Sequence, residues 1–188
     1  TRRSRPLFPG EAVVWVWLLA GCVEDAPPPT PDALHVSPAE QVVAALYAEG
    51  AQVYQCNPSP DDSTKLAWTF LAPDAVLYDT THNVVGRHYA GPTWEANDGS
   101  LVIGEVAARA DAPAVDAIPR LLLKAKSTAG TGIFGAVSSI QRIDTTGGTA
   151  PQIACDATHQ GETARVPYTA VYYFYTVPAA SALAVDAP

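Results

Sequence analysis

From residue 41 onward the sequence is a series of short apolar runs separated by turn-forming residues, and this pattern restricts the fold more than any other feature. Gly, Pro, Asn and Asp mark the ends of most runs, as they do between β-strands. No long window shows the spacing of apolar residues that is typical of an amphipathic helix. The pattern predicts one all-β domain, an antiparallel sandwich or barrel-like fold of about eight or nine strands with short helices at most.

The first predicted strands occur in pairs. Residues 41–47 and 51–56 lie on either side of a hairpin-length gap that contains Gly50. Residues 72–74 divide the next two predicted strands, 66–71 and 75–79. Further strands are predicted at 84–89, 101–109, 120–126 and 165–175. Two segments are also compatible with a short helix, 41–51 and 134–143.

The last predicted strand, 165–175, is the longest alternating run. Alternate residues of a strand point to opposite faces, so one face of this run is apolar and aromatic. That face consists of Val166, Tyr168, Ala170, Tyr172 and Phe174. The other face becomes apolar in the second half of the run, which predicts a strand that is covered on both sides.

Composition and charge limit the classes of protein to which the chain can belong. With 48% hydrophobic and 16% charged residues, its 188 residues are enough for one domain with a buried core and a targeting segment. The formal net charge is −8, and the Lys and Arg residues outside the N-terminal segment are scattered. Binding to a nucleic-acid backbone needs clustered cations, so nucleic acid is not expected as a partner.

Residues 1–21 have the pattern of a secretory signal peptide. Three arginines precede an apolar segment, 12–20, which as a helix would rise only ~14 Å and is too short to span a bilayer. The segment ends in Leu-Ala-Gly-Cys, which resembles a bacterial lipobox and predicts lipid attachment at Cys22. An ordinary signal peptide, a twin-arginine signal or a buried helix with a chance Cys are the alternatives.

A lipid-anchored envelope protein is therefore the expected form, on the periplasmic face or at the outer membrane, with a secreted protein as the alternative. A Pro-rich tether is predicted at 22–38, the β domain at 39–178 and a flexible tail at 179–188. Replacing Cys22 by Ser should move the protein from the membrane fraction to the soluble fraction. An unchanged distribution would contradict the anchor.

Cysteine usage agrees with export. If Cys22 carries lipid, an even number of cysteines remains, Cys56 and Cys155. In an oxidising compartment we predict that these two form a disulfide bond. Two buried thiols are the alternative.

Residues 86–99 concentrate side chains that could bind or react, and two turn signals, Gly91-Pro92 and Asp98-Gly99, flank the Trp-Glu pair. The predicted ligand-binding residues are His88, Tyr89, Trp94 and Glu95. Arg142, Lys124 and Tyr172 are their candidate partners if the fold brings them close. An indole face beside a carboxylate suits a sugar ring or a cation. His88 and Glu95 are also the candidate catalytic residues of a hydrolase. The structural alternative is a core Trp, an ion pair between Glu95 and Arg87, and a His bonded to backbone.

Two cofactor classes are not expected. Residues 130–135 match the glycine pattern G-x-G-x-x-G, but the run that follows is too short for the crossover helix of a dinucleotide-binding unit. The four histidines do not fall at metal-ligand spacings. No dinucleotide, metal or other cofactor is therefore predicted.

Several segments together identify a family resemblance. They are VYQC at 53–56, WTF at 68–70, LYD at 77–79, GRHYAGPTWE at 86–95, IQRIDTTGG at 140–148, and the segments 155–159 and 165–175. Over about residues 34–176 the chain resembles the family catalogued as domain of unknown function 3455, found in secreted and envelope proteins of bacteria and in fungi. Some fungal relatives carry the label malate dehydrogenase, which the chain does not support because it lacks a dinucleotide site.

The sequence predicts an exported domain that binds a small-molecule or saccharide-like ligand, or a protein partner, through residues 86–99. A hydrolase and a purely structural scaffold are the alternatives. Loss of turnover with retained affinity in a Glu95→Gln variant would indicate the hydrolase.

Overall fold

The computed structural model describes residues 27–179, which form a closed barrel of eight antiparallel strands. Each strand pairs with the next along the chain, and the last pairs with the first. The strands are β1 (Gln41–Pro58), β2 (Leu66–Tyr78), β3 (Val84–Tyr89), β4 (Thr93–Ala96), β5 (Leu101–Ala110), β6 (Arg120–Ala129), β7 (Ser139–Gly147) and β8 (Thr163–Thr176). The prediction of an all-β, barrel-like domain is confirmed.

The first two strands are longer than the sequence predicted. Residues 48–50 do not form a turn, because β1 runs through them and pairs with β2 on one side and β8 on the other. A Cβ at Gly50 would lie 2.2 Å from the backbone oxygen of Asp74, so this glycine permits close strand contact rather than a reversal of the chain. Residues 72–74 likewise lie inside β2, so the hairpin predicted at 48–50 and the strand break predicted at 72–74 were both wrong.

Neither segment that was compatible with a short helix is helical. Residues 41–51 belong to β1, and residues 134–143 comprise the end of a turn-rich loop and the start of β7. The helical structure in residues 27–179 is one 3-10 turn, η1 (Asp32–Leu34). The segment 41–51 pairs with β8 along nearly its whole length and from Tyr47 onward also with β2, so its backbone is satisfied by sheet pairing instead of helical bonds.

The antiparallel order puts the strand connections at two ends of the barrel. The connections β2–β3, β4–β5 and β6–β7 lie at one end, which we call the plugged end, and the other four lie at the mouth end. At the plugged end the β6–β7 loop inserts the fully buried Phe134, whose ring centroid is 4.6 Å from that of Phe174. Asp98 and Ser100 hold the loop by accepting hydrogen bonds from the Ile133 and Phe134 amides.

The N-terminal segment packs on the outside of the barrel. The turn η1 lies against β5 and β6, and Leu34 is fully buried there. The Gln141 side-chain amide donates to the Leu34 carbonyl. Glu40 accepts hydrogen bonds from Ser138, Ser139 and Lys124 on the same side. The Pro-rich tether predicted at 22–38 therefore includes residues that pack on the domain.

A disulfide bond joins Cys56, near the end of β1, to Cys155 in the long β7–β8 loop, with 5.5 Å between the Cα atoms. The predicted pairing is confirmed. The same loop is held at the mouth end by two hydrogen bonds, one from the Trp68 indole to the Ile153 carbonyl at 3.0 Å and one from the Tyr54 hydroxyl to the Gly148 carbonyl at 2.7 Å.

The predicted signal peptide, lipidated Cys22 and most of the C-terminal tail lie outside the described residues. Within 27–179, no helix is both long enough and apolar enough to span a membrane.

Candidate ligand-binding cavity

A cavity of about 460 Å³ occupies the barrel interior toward the mouth end. The β3–β4 turn and the β5–β6 loop border it, and its volume lies in the range of small-molecule sites. Its walls combine apolar residues with a few polar ones. The lining includes Gln52, Tyr54, Phe70, Leu71, Pro73, His88, Trp94, Val106, Arg109, Ile118, Leu121, Leu123, Arg142 and Tyr172.

Three rings in mutual contact line the inner end of the cavity. His88 on β3 lies directly opposite Trp94 on β4, and their rings stack with centroids 4.2 Å apart and planes 11° apart. The Tyr172 ring contacts both edge-on, at 5.2 Å from His88 and 5.3 Å from Trp94. The short β3–β4 hairpin therefore brings two of the predicted site residues together, and β8 adds the third ring.

Burial keeps His88 uncharged. Desolvation lowers the pKa of His88 to about 3, because the imidazolium would lose its hydration inside the barrel. Nδ1 lies 2.9 Å from the Thr93 carbonyl oxygen, which can only accept a hydrogen bond. Because the Thr93 carbonyl can only accept, the proton of the neutral ring is assigned to Nδ1, and Nε2 is an acceptor. His88 can accept a hydrogen bond from a ligand but is not a cation at neutral pH.

Tyr89 and Glu95 lie on the outer face of the barrel, away from His88 and Trp94. Glu95 accepts hydrogen bonds from the Tyr89 hydroxyl at 2.8 Å and from Arg87 at 2.9 Å, and these contacts lower the pKa of its carboxyl group. Successive residues of a strand alternate between the two faces, so Trp94 and Glu95 cannot point the same way. The structure does not form the acid–base pair of His88 and Glu95.

Arg142 does join the inner group. It lies on β7 directly opposite Tyr172 of β8, and its Nε and Nη2 atoms donate to the Pro119 carbonyl at 3.1 and 2.8 Å. Burial raises the pKa of Tyr54 and lowers the pKa of His88, and the guanidinium charge of Arg142 acts toward a lower pKa at both groups. Arg142 therefore places positive charge inside the barrel.

Several buried polar groups of the interior lack a partner among residues 27–179. The Trp94 indole N–H and the Gln52 side-chain N–H₂ make no hydrogen bond. The Tyr168 and Tyr172 hydroxyls lie close enough to influence each other's pKa, and burial raises both values, yet neither makes a hydrogen bond of good geometry. Buried polar groups without a hydrogen bond are rare in native proteins, and these atoms have almost no accessible surface, so they do not face the cavity directly.

Sequence reasoning missed Gln52, Tyr54 and Arg109. Gln52 and Tyr54 belong to the strand that was interrupted by a predicted hairpin, and an unbroken alternation from Leu46 would have placed Gln52 inside. Tyr168 and Tyr172 were on the predicted apolar face of 165–175, and both are buried. No signal in the sequence indicated the inward position of Arg109, because it depends on an irregularity of β5.

The structure places the glycine-rich residues 130–135 in the β6–β7 loop at the plugged end, between two antiparallel strands. A dinucleotide site of this pattern requires a strand, a turn and a helix, and that unit is not formed here. Residues 27–179 also contain no cluster of three or more His, Cys, Asp or Glu side chains that could hold a metal ion.

Comparison with known proteins gives one family. A family model described as "Protein of unknown function (DUF3455)" matches residues 37–176, which include all eight strands. A search of curated proteins and a search of solved structures each gave no match. The family match covers most of the 188-residue chain. The chain therefore belongs to the DUF3455 family.

Proposed function

We propose that this protein is an exported binding protein that holds a small molecule inside its barrel. One observation carries the proposal: a cavity of about 460 Å³ lies inside the barrel, and its lining combines apolar side chains with a few polar ones. Apolar walls with a few polar groups are the usual composition of ligand sites.

The composition of the walls indicates what kind of ligand they would hold. Apolar side chains such as Leu121 and Leu123 would gain free energy by covering hydrocarbon. The polar residues among them, His88, Arg109 and Arg142, would bind a polar group of the same ligand.

A binding role inside the barrel has more support than a hydrolase or an open sugar-binding platform. A hydrolase using His88 and Glu95 lacks support because the two side chains lie on opposite faces of the wall. A sugar-binding platform needs an open aromatic face, whereas His88 and Tyr172 cover Trp94, which is 1% exposed. A small molecule between the barrel walls is the occupant that this arrangement favours.

Export remains part of the proposal. The signal-like residues 1–21 and the lipobox-like Cys22 support it, and so does the Cys56–Cys155 disulfide, because such bonds form and persist in oxidising compartments. Anchoring at Cys22 would keep the binding domain at an envelope membrane.

A neutral fluorescent probe tests the binding role. We expect N-phenyl-1-naphthylamine to bind the wild-type protein at one site with enhanced fluorescence. Val106→Trp should abolish the signal, because Val106 lines the cavity and is 38% exposed, so a larger side chain there fills the mouth without entering the core. The matched control is Val115→Trp, at a fully exposed loop position outside the lining, which should bind normally. No binding by the wild type, or equal binding by Val106→Trp, would favour the scaffold alternative.

A further inference from the structure

Two arginines border the cavity at the same level of the barrel wall. Leu121 on β6 pairs directly with Arg109 on β5 and with Arg142 on β7, and Leu121 faces the interior. Neighbouring strands are about 4.8 Å apart, so the two arginine Cα atoms are separated by roughly 10 Å across the wall. Guanidinium groups on such long side chains can both reach an anion between them.

A bulge gives Arg109 its inward position. In β5, Gly104 and Val106 line the interior, so regular alternation would turn Ala108 inward and Arg109 outward. The register shifts between Val106 and Ala108, and Arg109 thereby comes opposite the inward-facing Leu121. Bulges often re-aim a side chain toward a functional site.

Neither arginine has an acidic partner in the described part of the chain. Arg87 and Arg165 on the outer surface are paired with Glu95 and Asp74. Arg109 and Arg142 make no ion pair, and no Asp or Glu lines the cavity, although the chain as a whole has a net charge of −8. The positive charge of the cavity is therefore left for a ligand to neutralise.

Arg142 keeps donors available for that ligand. A guanidinium has five N–H groups, of which two donate to the Pro119 carbonyl and one can donate to the neighbouring Tyr172 hydroxyl. The other N–H groups can donate to a carboxylate. Leu121, Leu123 and Trp94 form the adjoining apolar wall. One end of the site thus suits an anion and the rest suits a hydrocarbon.

We propose that the ligand is a small amphipathic carboxylate, with its acid group between Arg109 and Arg142 and its apolar body along the wall of the cavity. This inference rests on the proposed binding function and specifies the class of its ligand.

The test compares octanoate with 1-octanol, which differ mainly in the charged head group. Both are titrated as competitors of N-phenyl-1-naphthylamine on the purified full chain at neutral pH. We expect octanoate to bind at least about tenfold more tightly than 1-octanol. Arg109→Gln and Arg142→Gln should each reduce that ratio, because each should weaken the binding of octanoate more than the binding of 1-octanol. Arg87→Gln, which removes the same charge from the outer face, should leave the ratio unaltered.

The outcomes separate this inference from the broader proposal. If the naphthylamine binds but octanoate and 1-octanol compete equally, the carboxylate assignment is wrong and the binding function stands. If the wild-type protein binds none of the three, both fail. Should Arg142→Gln not fold, the exposed Arg109 still decides the question, since a preference for octanoate unaffected by Arg109→Gln would contradict its role in the site.

Discussion

At the scale of single residues, His88 shows how burial fixes a chemical state. Its imidazole is stacked on Trp94 and donates from Nδ1 to the Thr93 carbonyl. The folded protein therefore holds the neutral form far below the pH at which a free histidine would gain a proton. This has a measurable consequence for stability.

We expect His88 to make the protein less stable in mild acid. Its pKa is about 3 in the folded state and about 6.5 in the unfolded state, so the unfolded chain binds more protons between these values. The stabilisation is complete above pH 6.5 and is lost as the pH falls toward 3. Between pH 7 and pH 5 the free energy of unfolding should fall by about 2 kcal/mol more in the wild type than in His88→Gln.

Urea denaturation at the two pH values measures this difference. The control is His35→Gln, at an exposed histidine of the N-terminal segment, which should retain the wild-type pH dependence. An identical slope in the wild type and His88→Gln would show that His88 is protonated in the folded protein.

The sequence predicted one group of site residues, and the structure divides that group between the two faces of the barrel wall. His88, Trp94 and Arg142 do share the barrel interior, whereas Tyr89 and Glu95 face outward. The prediction grouped residues by closeness along the chain, but in a strand immediate neighbours are on opposite faces. The period of two, applied within residues 86–99, would have separated His88 from Tyr89 and Trp94 from Glu95.

At the scale of elements, the boundaries that failed are those where glycine and proline lie inside a strand. Gly50 permits close contact with β2, and residues 72–74 continue β2 despite Pro73. Such residues usually mark turns, so the sequence predicted a hairpin at the first place and a break between two strands at the second. The alternation in residues 165–175 had no such interruption, and Tyr168, Ala170, Tyr172 and Phe174 are all buried. The bulge between Val106 and Ala108 in β5 has no corresponding signal in the sequence.

The N-terminal segment contributes to the stability of the barrel. Leu34, the last residue of η1, is fully buried against the outside of the barrel wall. Truncating a buried leucine removes apolar contacts and leaves a void. We expect Leu34→Ala to lower the free energy of unfolding by about 2–5 kcal/mol in urea denaturation. Val43→Ala, at a position 44% exposed on β1, should change it by less than about 0.5 kcal/mol. A loss that small for Leu34→Ala would show that the segment does not pack stably on the barrel.

At the scale of the whole molecule, the disulfide connects the two ends of a long stretch of chain at the mouth end. Cys56 and Cys155 are 99 residues apart in sequence. In the chain-entropy model a loop of this length contributes up to about 4–5 kcal/mol by restricting the unfolded state.

We expect the double variant Cys56→Ser, Cys155→Ser to unfold at a lower urea concentration by an amount within that limit. Neither cysteine lines the cavity, and no residue of the β7–β8 loop does, so the folded variant should still bind N-phenyl-1-naphthylamine. Wild-type protein treated with a reducing agent should shift to the same midpoint, and the agent should not affect the double variant. A double variant as stable as the oxidised wild type would contradict a stabilising role for the bond.

The pairing of β1 with β8 also sets an order for biosynthesis. These strands join residues 41–55 to residues 163–176 and close the barrel with the longest seam in the molecule. A chain that emerges from the ribosome or crosses a membrane N-terminus first presents β1 long before β8 exists. Until then one edge of β1 has no strand to pair with, and an open edge invites pairing with other chains. The barrel cannot close until β8, which ends at Thr176, has been made. The unpaired edge of β1 in the nascent chain therefore needs protection until then.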